Sequence, residues 1–550
     1  MGAKEDAYRY AIKNAYLHRG KASVGAVVGK VIALDKSVNI KDEMKGIQEA
    51  VSKVNAMAFK DIEKEFMRFR EQGYELKPQE KEEGLPKLGW AEAGKEKVVT
   101  RYAPNPNGPF HLGNARAAIL SHEYARMYNG KFILRFEDTD PKVKRPIENA
   151  EGVFRKDLEW LGCKIDEVFF ASDRLEIYHK HMKQAIELGQ AYVCVCDVEK
   201  WRELIKKKKG CPCREKGREE QLELFGEMLS NGLKEGEAVL RIKTDLNHPD
   251  PSMRDWWAGK VVDKPRHNRI GDKFHVWPSY NFQAAVDDRL MGVTYIIRGQ
   301  EHSQNEEKQK FLYRYFGWVY PHSFHFGRVK LEGMVLSTSK IKAGIEQGEY
   351  EGWDDPRLGT IMALRRKGFD PRALRDIILE AGMKSSDTTI EMKRLIDANK
   401  KYIEEKSERI SFIEEPLQLD VHYAPEVREH GLGEGTQSVL VSREEISRAR
   451  GKSVVRLREL YNVKIVDVGE LQASAEYVGG QNLPKMPLLT WIAGGQDVEI
   501  VMPDNSRRHG IAESGLSWKK EGDIAYLEKF GYARVDRQEN GRTWLRYAHK

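Results

Sequence analysis

The segment Arg101-Tyr-Ala-Pro-Asn-Pro-Asn-Gly-Pro-Phe-His111-Leu-Gly-Asn114 leaves an apolar stretch, crosses a loop stiffened by Pro104, Pro106 and Pro109, and enters a helical pattern. Backbone N–H groups at a helix start are unpaired and the helix dipole favours negative charge there, so phosphate is the natural guest. His111 and Asn114, three apart in the first turn, can face that guest together, and Gly113 lets a base or ribose approach the backbone. The bland alternative is a turn whose surface His caps a helix. About 220 residues later, Gly333-Met-Val-Leu-Ser337-Thr-Ser339-Lys340 is a loop of small hydroxyl side chains ending in an ammonium. Lys340 suits charge developing on a leaving phosphate group, although such a loop alone is equally a solvated turn. Four of the five cysteines fall as Cys194-Val-Cys196 and Cys211-Pro-Cys213 with fourteen residues between the pairs. A tetrahedral zinc site closing a small loop requires that clustering, and two buried or oxidised pairs are the alternative. Cys163, flanked by Leu161 and Ile165, reads as core.

The elements that must position these residues follow from hydrophobic period. From Asp6 to about Gly73, apolar residues recur at helical spacing, as in Ile47, Ala50, Val51, Val54 and Ala58, predicting a helical N-terminal domain. Gly73 to Lys97, with Pro78, Gly84 and Pro86 among charges, predicts an exposed linker that buries little. Then Val98–Tyr102 reads as a strand, Leu112–Tyr128 as a helix, Lys131–Phe136 as a strand and Ile147–Leu161 as a helix. This alternation opens a parallel, doubly wound α/β sheet. A Cys-bearing, Lys-rich insert interrupts it near Ala191–Thr244, and the pattern resumes around Tyr280–Arg298. Pro356–Ile413 reads as helical, with Ala363, Leu364, Ile377, Ile378, Ile396 and Ile403 as core. Beyond Pro416 the period changes to two, at Val463/Ile465, Val498/Ile500 and Ile524/Tyr526, predicting an all-β region.

Composition narrows the class. Of 550 residues 40% are apolar and 9% aromatic, too many for a disordered chain, and the length predicts several domains. No run approaches the roughly 18 apolar residues of a membrane span, and Met1–Asp6 opens into charges rather than an apolar signal segment. Few, clustered cysteines point to a reducing compartment, so a cytoplasmic protein without membrane contact is expected. The net charge of +7 permits a polyanionic partner without establishing one.

Together the two phosphate motifs resemble those of class I aminoacyl-tRNA synthetases: His111-Leu-Gly-Asn114 resembles His-Ile-Gly-His, and Leu336–Lys340 resembles Lys-Met-Ser-Lys-Ser. Arg135-Phe-Glu-Asp-Thr-Asp140, Tyr280–Asp288, Tyr295–His302 and Trp353–Arg357 resemble segments of the glutamyl and glutaminyl branch, in order, from about Val98 to the C-terminus. Two departures stand out. Asn114 replaces the last His of the first motif, and the first Lys of the second has no clear counterpart, which places more of the charge on Lys340.

The resemblance implies a multidomain α/β architecture. A helical N-terminal domain and linker (1–95) precedes a Rossmann-like catalytic domain in two halves (96–190 and 271–345), separated by an inserted acceptor-stem domain (191–270). A helical connector (346–415) leads to a β-barrel anticodon-binding region (416–550) of archaeal layout. It implies ATP with Mg²⁺ as substrate, with Pro104, Gly108, His111, Gly113, Asn114, Ser339 and Lys340 on the nucleotide, His111, Asn114 and Lys340 serving catalysis. Glu137 would receive the amino-acid ammonium, aided by Ala103 and Asn105; in isolation it equally caps the next helix. Arg101 and Arg298, with Tyr280, would take a γ-carboxylate, which favours glutamate because glutaminyl relatives carry a non-basic residue at the position of Arg298. The alternative for Arg298 is a structural ion pair with Asp287, Asp288 or Glu301. Zinc-bearing relatives with a Cys-x-Cys pair strengthen structural Zn²⁺ on Cys194, Cys196, Cys211 and Cys213, and Lys206–Lys209 would meet acceptor-stem phosphate. The implied partner is tRNA-Glu. Whether tRNA-Gln is also charged, feeding a tRNA-dependent amidotransferase, is left open by the sequence, as are the anticodon-reading residues. The Asn14–Lys30 segment, with His18, Arg19, Lys21 and Lys30, reads either as a tRNA contact or as a packing helix pair.

Overall fold

The computed structural model describes residues 3–34, 40–71, 84–92, 96–449, 454–482 and 484–550. Contacts divide the chain into two units, Met1–Glu83 and Gly84–Lys550.

In the first unit, helices Ala3–Leu17, Val24–Leu34, Ile40–Asn55 and Phe59–Glu71 bury Ala11, Ile12, Val27, Ile47, Val51, Val54 and Ile62. Ala58 lies beyond the third helix and is exposed, so the helical period stops at Asn55. His18, Arg19, Lys21 and Lys30 are exposed, while Asn55 clamps the first turn by accepting from Ala22 N (2.6 Å) and donating to its carbonyl (3.0 Å).

The second unit is organised by a five-stranded sheet in the order Glu167–Phe170, Lys131–Phe136, Val99–Tyr102, Tyr295–Gly299, His322–Phe326, with every pairing parallel. The first three strands extend outward from Val99–Tyr102 in one direction and the last two in the other. The order therefore reverses between Val99–Tyr102 and Tyr295–Gly299, and a crevice opens at the carboxyl ends there. Helix Leu112–Met127, capped by His111, packs Leu112, Ala115, Ala118 and Ile119 onto this sheet. Arg116 on that helix is fully buried, and its two terminal nitrogens donate to the carbonyls of Gly327 (2.9 Å), Gly382 (2.6 Å) and Lys384 (3.1 Å), which ties the sheet layer to the connector helices. Cys163 lies in the same core, where burial pushes its thiol up to about 12.

Strands Ala191–Cys194, Val239–Ile242, Trp257–Val261 and Val276–Pro278 form a separate antiparallel sheet inserted between the two halves. Helices Ile361–Lys367, Pro371–Ala381 and Met392–Ile403 follow the second half and bury Leu364, Ile377, Ile378 and Leu395. Ile396, predicted as core, is only half-buried because Leu395 points inward one residue earlier. The helical reading to Ile413 also overshoots: Glu408–Ile410 and Phe412–Glu414 are strands, recruited by pairing with Ile524–Leu527 and Arg507–Glu513.

The C-terminal region holds two seven-stranded, barrel-like sheets. In one, Glu408–Ile410 and Phe412–Glu414 occupy opposite edges although only Ser411 separates them; in the other, Leu488–Leu489 and Trp491–Ile492 do so across Thr490. Opposite edges one residue apart force each sheet to curl round on itself, which removes exposed edges. Ile524 and Tyr526, partly buried, pack with Ile403 on the connector while Ala525 faces the sheet core, so this strand has neighbours on both faces.

The linker expectation fails in its second part. Leu88 is buried, its N–H donates to Tyr128 Oη (2.6 Å), Tyr124 Oη donates to the Pro86 carbonyl (3.0 Å), and Trp90 stacks on His322. Apolar Leu85, Leu88 and Trp90 outweigh the flanking charges and bind 84–92 to the second unit. Residues 73–83 and 93–95 of the expected linker lie outside the described set.

Candidate active site

The crevice at the strand reversal is a cleft of about 580 Å³. Its lining includes nine residues expected to bind substrate: Arg101, Ala103, Pro104, Asn105, Gly113, Asn114, Glu137, Tyr280 and Arg298. His111, Gly108, Ser339 and Lys340 stand outside that lining.

His111 adopts extended backbone at the helix N-cap, and its Nδ1 accepts the N–H of Asn114 at 3.3 Å. An accepting Nδ1 leaves the ring proton on Nε2, which becomes a neutral donor. Burial lowers the ring's pKa to about 4, so it stays uncharged at neutral pH. The two phosphate motifs meet physically. A Cβ on Gly108 would overlap the Thr338 side chain, Leu112 N donates to the Gly359 carbonyl (3.1 Å) and Gly359 N to that of Val335 (3.0 Å). The expected loop ends earlier than its sequence suggests: Ser337 is the N-cap of a helix, Thr338–Glu346, which places Ser339 and Lys340 in an exposed first turn.

Buried charge dominates the cleft floor. Arg101 Nε and Nη2 donate to the two carboxylate oxygens of Asp288 at 3.1 and 3.3 Å, and Arg135 Nη1 donates to Asp288 at 2.7 Å. Arg135 Nε donates to Glu137 at 2.9 Å, Gln283 donates to the other Glu137 oxygen, and Arg174 with Tyr178 holds Asp287. Burial pushes Glu137 up to about 7 against the pull of Arg135. It caps no helix. Asp288 is also penalised by burial, yet Arg101 and Arg135 hold it down to about 2. Arg298 is partnered differently, by His325 Nε2 (3.1 Å), Gln309 Oε1 (3.1 Å) and Tyr320 Oη (3.0 Å), all neutral acceptors. Among the described residues the carboxylate within 4 Å of it is Glu306, at 3.7 Å, and Lys310 already holds Glu306 at 2.8 Å. The expected alternative partners, Asp287, Asp288 and Glu301, make no ion pair with it. Such a floor offers a guanidinium, Arg298, and, when it is ionised, a carboxylate, Glu137, at the cleft surface.

The match to known proteins follows this geometry. Residues 97–405 match the family model of class I tRNA synthetases (E and Q), catalytic domain. This chain belongs to that family. A glutamate–tRNA ligase of Thermococcus kodakarensis is 46% identical over all of this chain and 99% of its own length, and one of Pyrococcus abyssi is 45% identical over the whole of both. One of Methanothermobacter thermautotrophicus is 41% identical over 99% of both. A crystal structure of a glutamate tRNA ligase from Elizabethkingia meningosepticum aligns with a TM-score of 0.41 at 20% identity, over 56% of this chain and 70% of that one.

Away from the cleft of this synthetase, Cys194, Cys196, Cys211 and Cys213 bring their four Sγ atoms within 4.8 Å of one another. Cys194 to Cys211 is 3.7 Å and Cys196 to Cys213 is 3.5 Å, too long for disulfides. A tetrahedral centre with Zn–S near 2.3 Å puts sulfurs about 3.75 Å apart, so the four thiolates fit zinc. Gln221 braces the site by accepting from Val193 N and donating to the Cys213 carbonyl, both at 2.6 Å. Lys206–Lys209 are exposed beside it, and no helix of the described residues is long and apolar enough to cross a membrane.

The sequence offers Asp288 only as an alternative partner of Arg298, not of Arg101 and Arg135, and it assigns no role to Gln283. Gln283 sits one helical turn after Tyr280 on the same helix, and that spacing is the signal for it.

Proposed function

We propose that this chain ligates L-glutamate to tRNA by way of a glutamyl adenylate, with ATP and Mg²⁺ as co-substrates. The observation that carries this reading is Arg298, a buried guanidinium at the cleft wall whose hydrogen-bond partners are neutral. A substrate γ-carboxylate supplies a directly hydrogen-bonded anion, which Glu306 at 3.7 Å does not and an amide cannot. The named relatives, identical at 41–46%, support the same reading.

In the first step a glutamate α-carboxylate oxygen attacks the α-phosphorus of ATP, and the bond to pyrophosphate breaks. Glu137 holds the substrate ammonium, Tyr280 and Arg101 assist Arg298, and the Nε2–H of His111 with the helix start at Leu112 faces the phosphates. Lys340 neutralises the leaving pyrophosphate once the Met334–Lys340 segment closes over the nucleotide. In the second step a terminal ribose hydroxyl attacks the carbonyl and AMP leaves. Neither step needs an enzyme nucleophile. Zinc on the four cysteines supplies structure to the insert, which carries the acceptor stem, and the C-terminal sheets bind the anticodon arm.

Aminoacylation of separate glutamate and glutamine tRNA transcripts, with labelled glutamate or glutamine, tests the reading. Glutamate on tRNA-Glu is the expected product. Its appearance on tRNA-Gln as well would mark a non-discriminating enzyme whose product needs an amidotransferase, and glutamine charging would overturn the assignment of Arg298.

A further inference from the structure

The strand Trp257–Val261 turns Trp257 into the cleft. The indole lines the same cavity as Glu137 and Arg298 and is 40% exposed, whereas Trp256 beside it is buried. A large apolar ring left 40% exposed at the wall of a polar cleft has area to offer a partner. The backbone is shaped to put it there. Leu240 opposes Gly259 but Arg241 opposes Trp257, so Ala258 is an extra residue, and a bulge of this kind re-aims the side chain beside it.

Just upstream, Asp255 sits at φ 42, a costly conformation for a residue with a side chain. It is over-determined by Thr244 N (2.9 Å), Tyr192 Oη (2.8 Å) and Arg214 Nε (3.0 Å), all donating to its carboxylate. Tyr192 Oη also lies 3.7 Å from Cys211 Sγ, and Arg214 directly follows Cys213. The cysteine cluster thus fixes the corner from which Trp257 projects.

Charge beside the ring identifies the guest. Lys260 Nζ lies 5.5 Å from the Trp257 ring centroid, and Lys260 and Lys144 share the cleft wall. Asp140 shares it too, with one oxygen accepting the N–H groups of Lys142 and Val143. An accessible indole face beside ammonium groups suits an unpaired nucleotide, whose base stacks while its phosphates meet the lysines.

We propose that Trp257 is the platform on which an unpaired base of the tRNA 3′ end stacks as the terminal ribose enters the cleft, with Lys260 and Lys144 facing the adjoining phosphates. This deepens the tRNA-charging reading and rests on it. The test measures binding of two transcripts, one full-length and one trimmed of its unpaired 3′ nucleotides, to wild type, Trp257→Ala and Trp257→Phe, with charging of the full-length transcript alongside. Trp257→Ala should weaken the full-length transcript about ten- to a hundredfold, the effect of losing one base stack, and leave the trimmed one unchanged. Trp257→Phe, which keeps a ring face, should stay within about threefold of wild type on both. Equal affinity of wild type and Trp257→Ala for the full-length transcript would overturn the proposal, as would an equal loss on both transcripts, the mark of a merely structural role. Wild type that binds and charges while Trp257→Ala matches it leaves the functional reading intact, whereas wild type that binds neither transcript removes both.

Discussion

Asp288 stands between Arg101 and Arg135, accepting from Arg101 Nε at 3.1 Å and from Arg135 Nη1 at 2.7 Å. This carboxylate answers two guanidiniums at once, so Arg101 reaches the cleft already paired. Arg298, held by Gln309, Tyr320 and His325, has a carboxylate only at 3.7 Å, on Glu306, which Lys310 already holds at 2.8 Å. The two arginines that look equivalent in sequence therefore differ in the charge they offer a ligand.

Arg298→Ala should lower kcat/KM for glutamate by at least about thirtyfold, the lower end of losing a buried charge partner, and erase the preference for glutamate over glutamine. Asp288→Asn should act on folding instead, costing about 3–5 kcal/mol by leaving Arg101 and Arg135 without their shared anion. Steady-state kinetics with both amino acids and denaturant unfolding separate the two effects. Unchanged selectivity in Arg298→Ala would exclude that residue from amino-acid discrimination.

Glu137 predicts a pH dependence. Burial pushes its carboxyl up to about 7, and a protonated carboxyl cannot attract an ammonium. Because glutamate binding favours the ionised form, affinity should rise with pH, with Kd falling about tenfold from pH 6 to pH 8 as the ionised fraction grows. Calorimetric titration should show this slope in wild type and a weak, flat response in Glu137→Gln. His111, lowered to about 4, stays neutral throughout that range and contributes no slope.

Gly108 is pinned under Thr338. Its φ is not positive, so alanine suits the backbone, but the added methyl would overlap Thr338 Cγ2. Gly108→Ala should displace the Ser/Thr/Lys segment and lower kcat/KM for ATP by about ten- to a hundredfold, the scale of an ångström misplacement. Thr338→Ser removes Cγ2, so the double variant should recover most of that loss. Failure of the rescue would mean that the two motifs do not communicate through this contact.

The cysteine cluster should hold one zinc per chain by elemental analysis, with its thiols protected from thiol reagents. Cys213→Ser, or removal of metal by a strong chelator, should release it, lower Tm and expose Trp201 and Leu204, which pack against the cysteines. Full thiol reactivity in native, metal-free protein of unchanged Tm would argue for four structural thiols instead.

Local chemistry was legible without coordinates. The helix start at Leu112 follows from proline, glycine and an apolar period, and Cys-x-Cys pairs fourteen residues apart imply proximity by their clustering. The two-residue period marks Ile524–Leu527 as a strand but leaves open which face meets which core: Ala525 faces the sheet core while Ile524 and Tyr526 pack against the connector. The strands at 408–414 read as helix because pairing partners a hundred residues away, at Arg507–Glu513 and Ile524–Leu527, decide their conformation.

The sequence by itself determined which residue types were available and in what order: a proline- and glycine-framed helix start, a late Ser/Thr/Lys segment, two arginines with a carboxylate, and four paired cysteines. It could do so because capping, loop stiffness and metal spacing are short-range. Only the tertiary structure decided that Asp288 neutralises Arg101 and not Arg298, that Gly108 touches Thr338, and that a bulge turns Trp257 into the cleft. Those outcomes depend on contacts between residues far apart in the chain, where strand order and packing, and not local preference, set which charges are paired and which side chains face water.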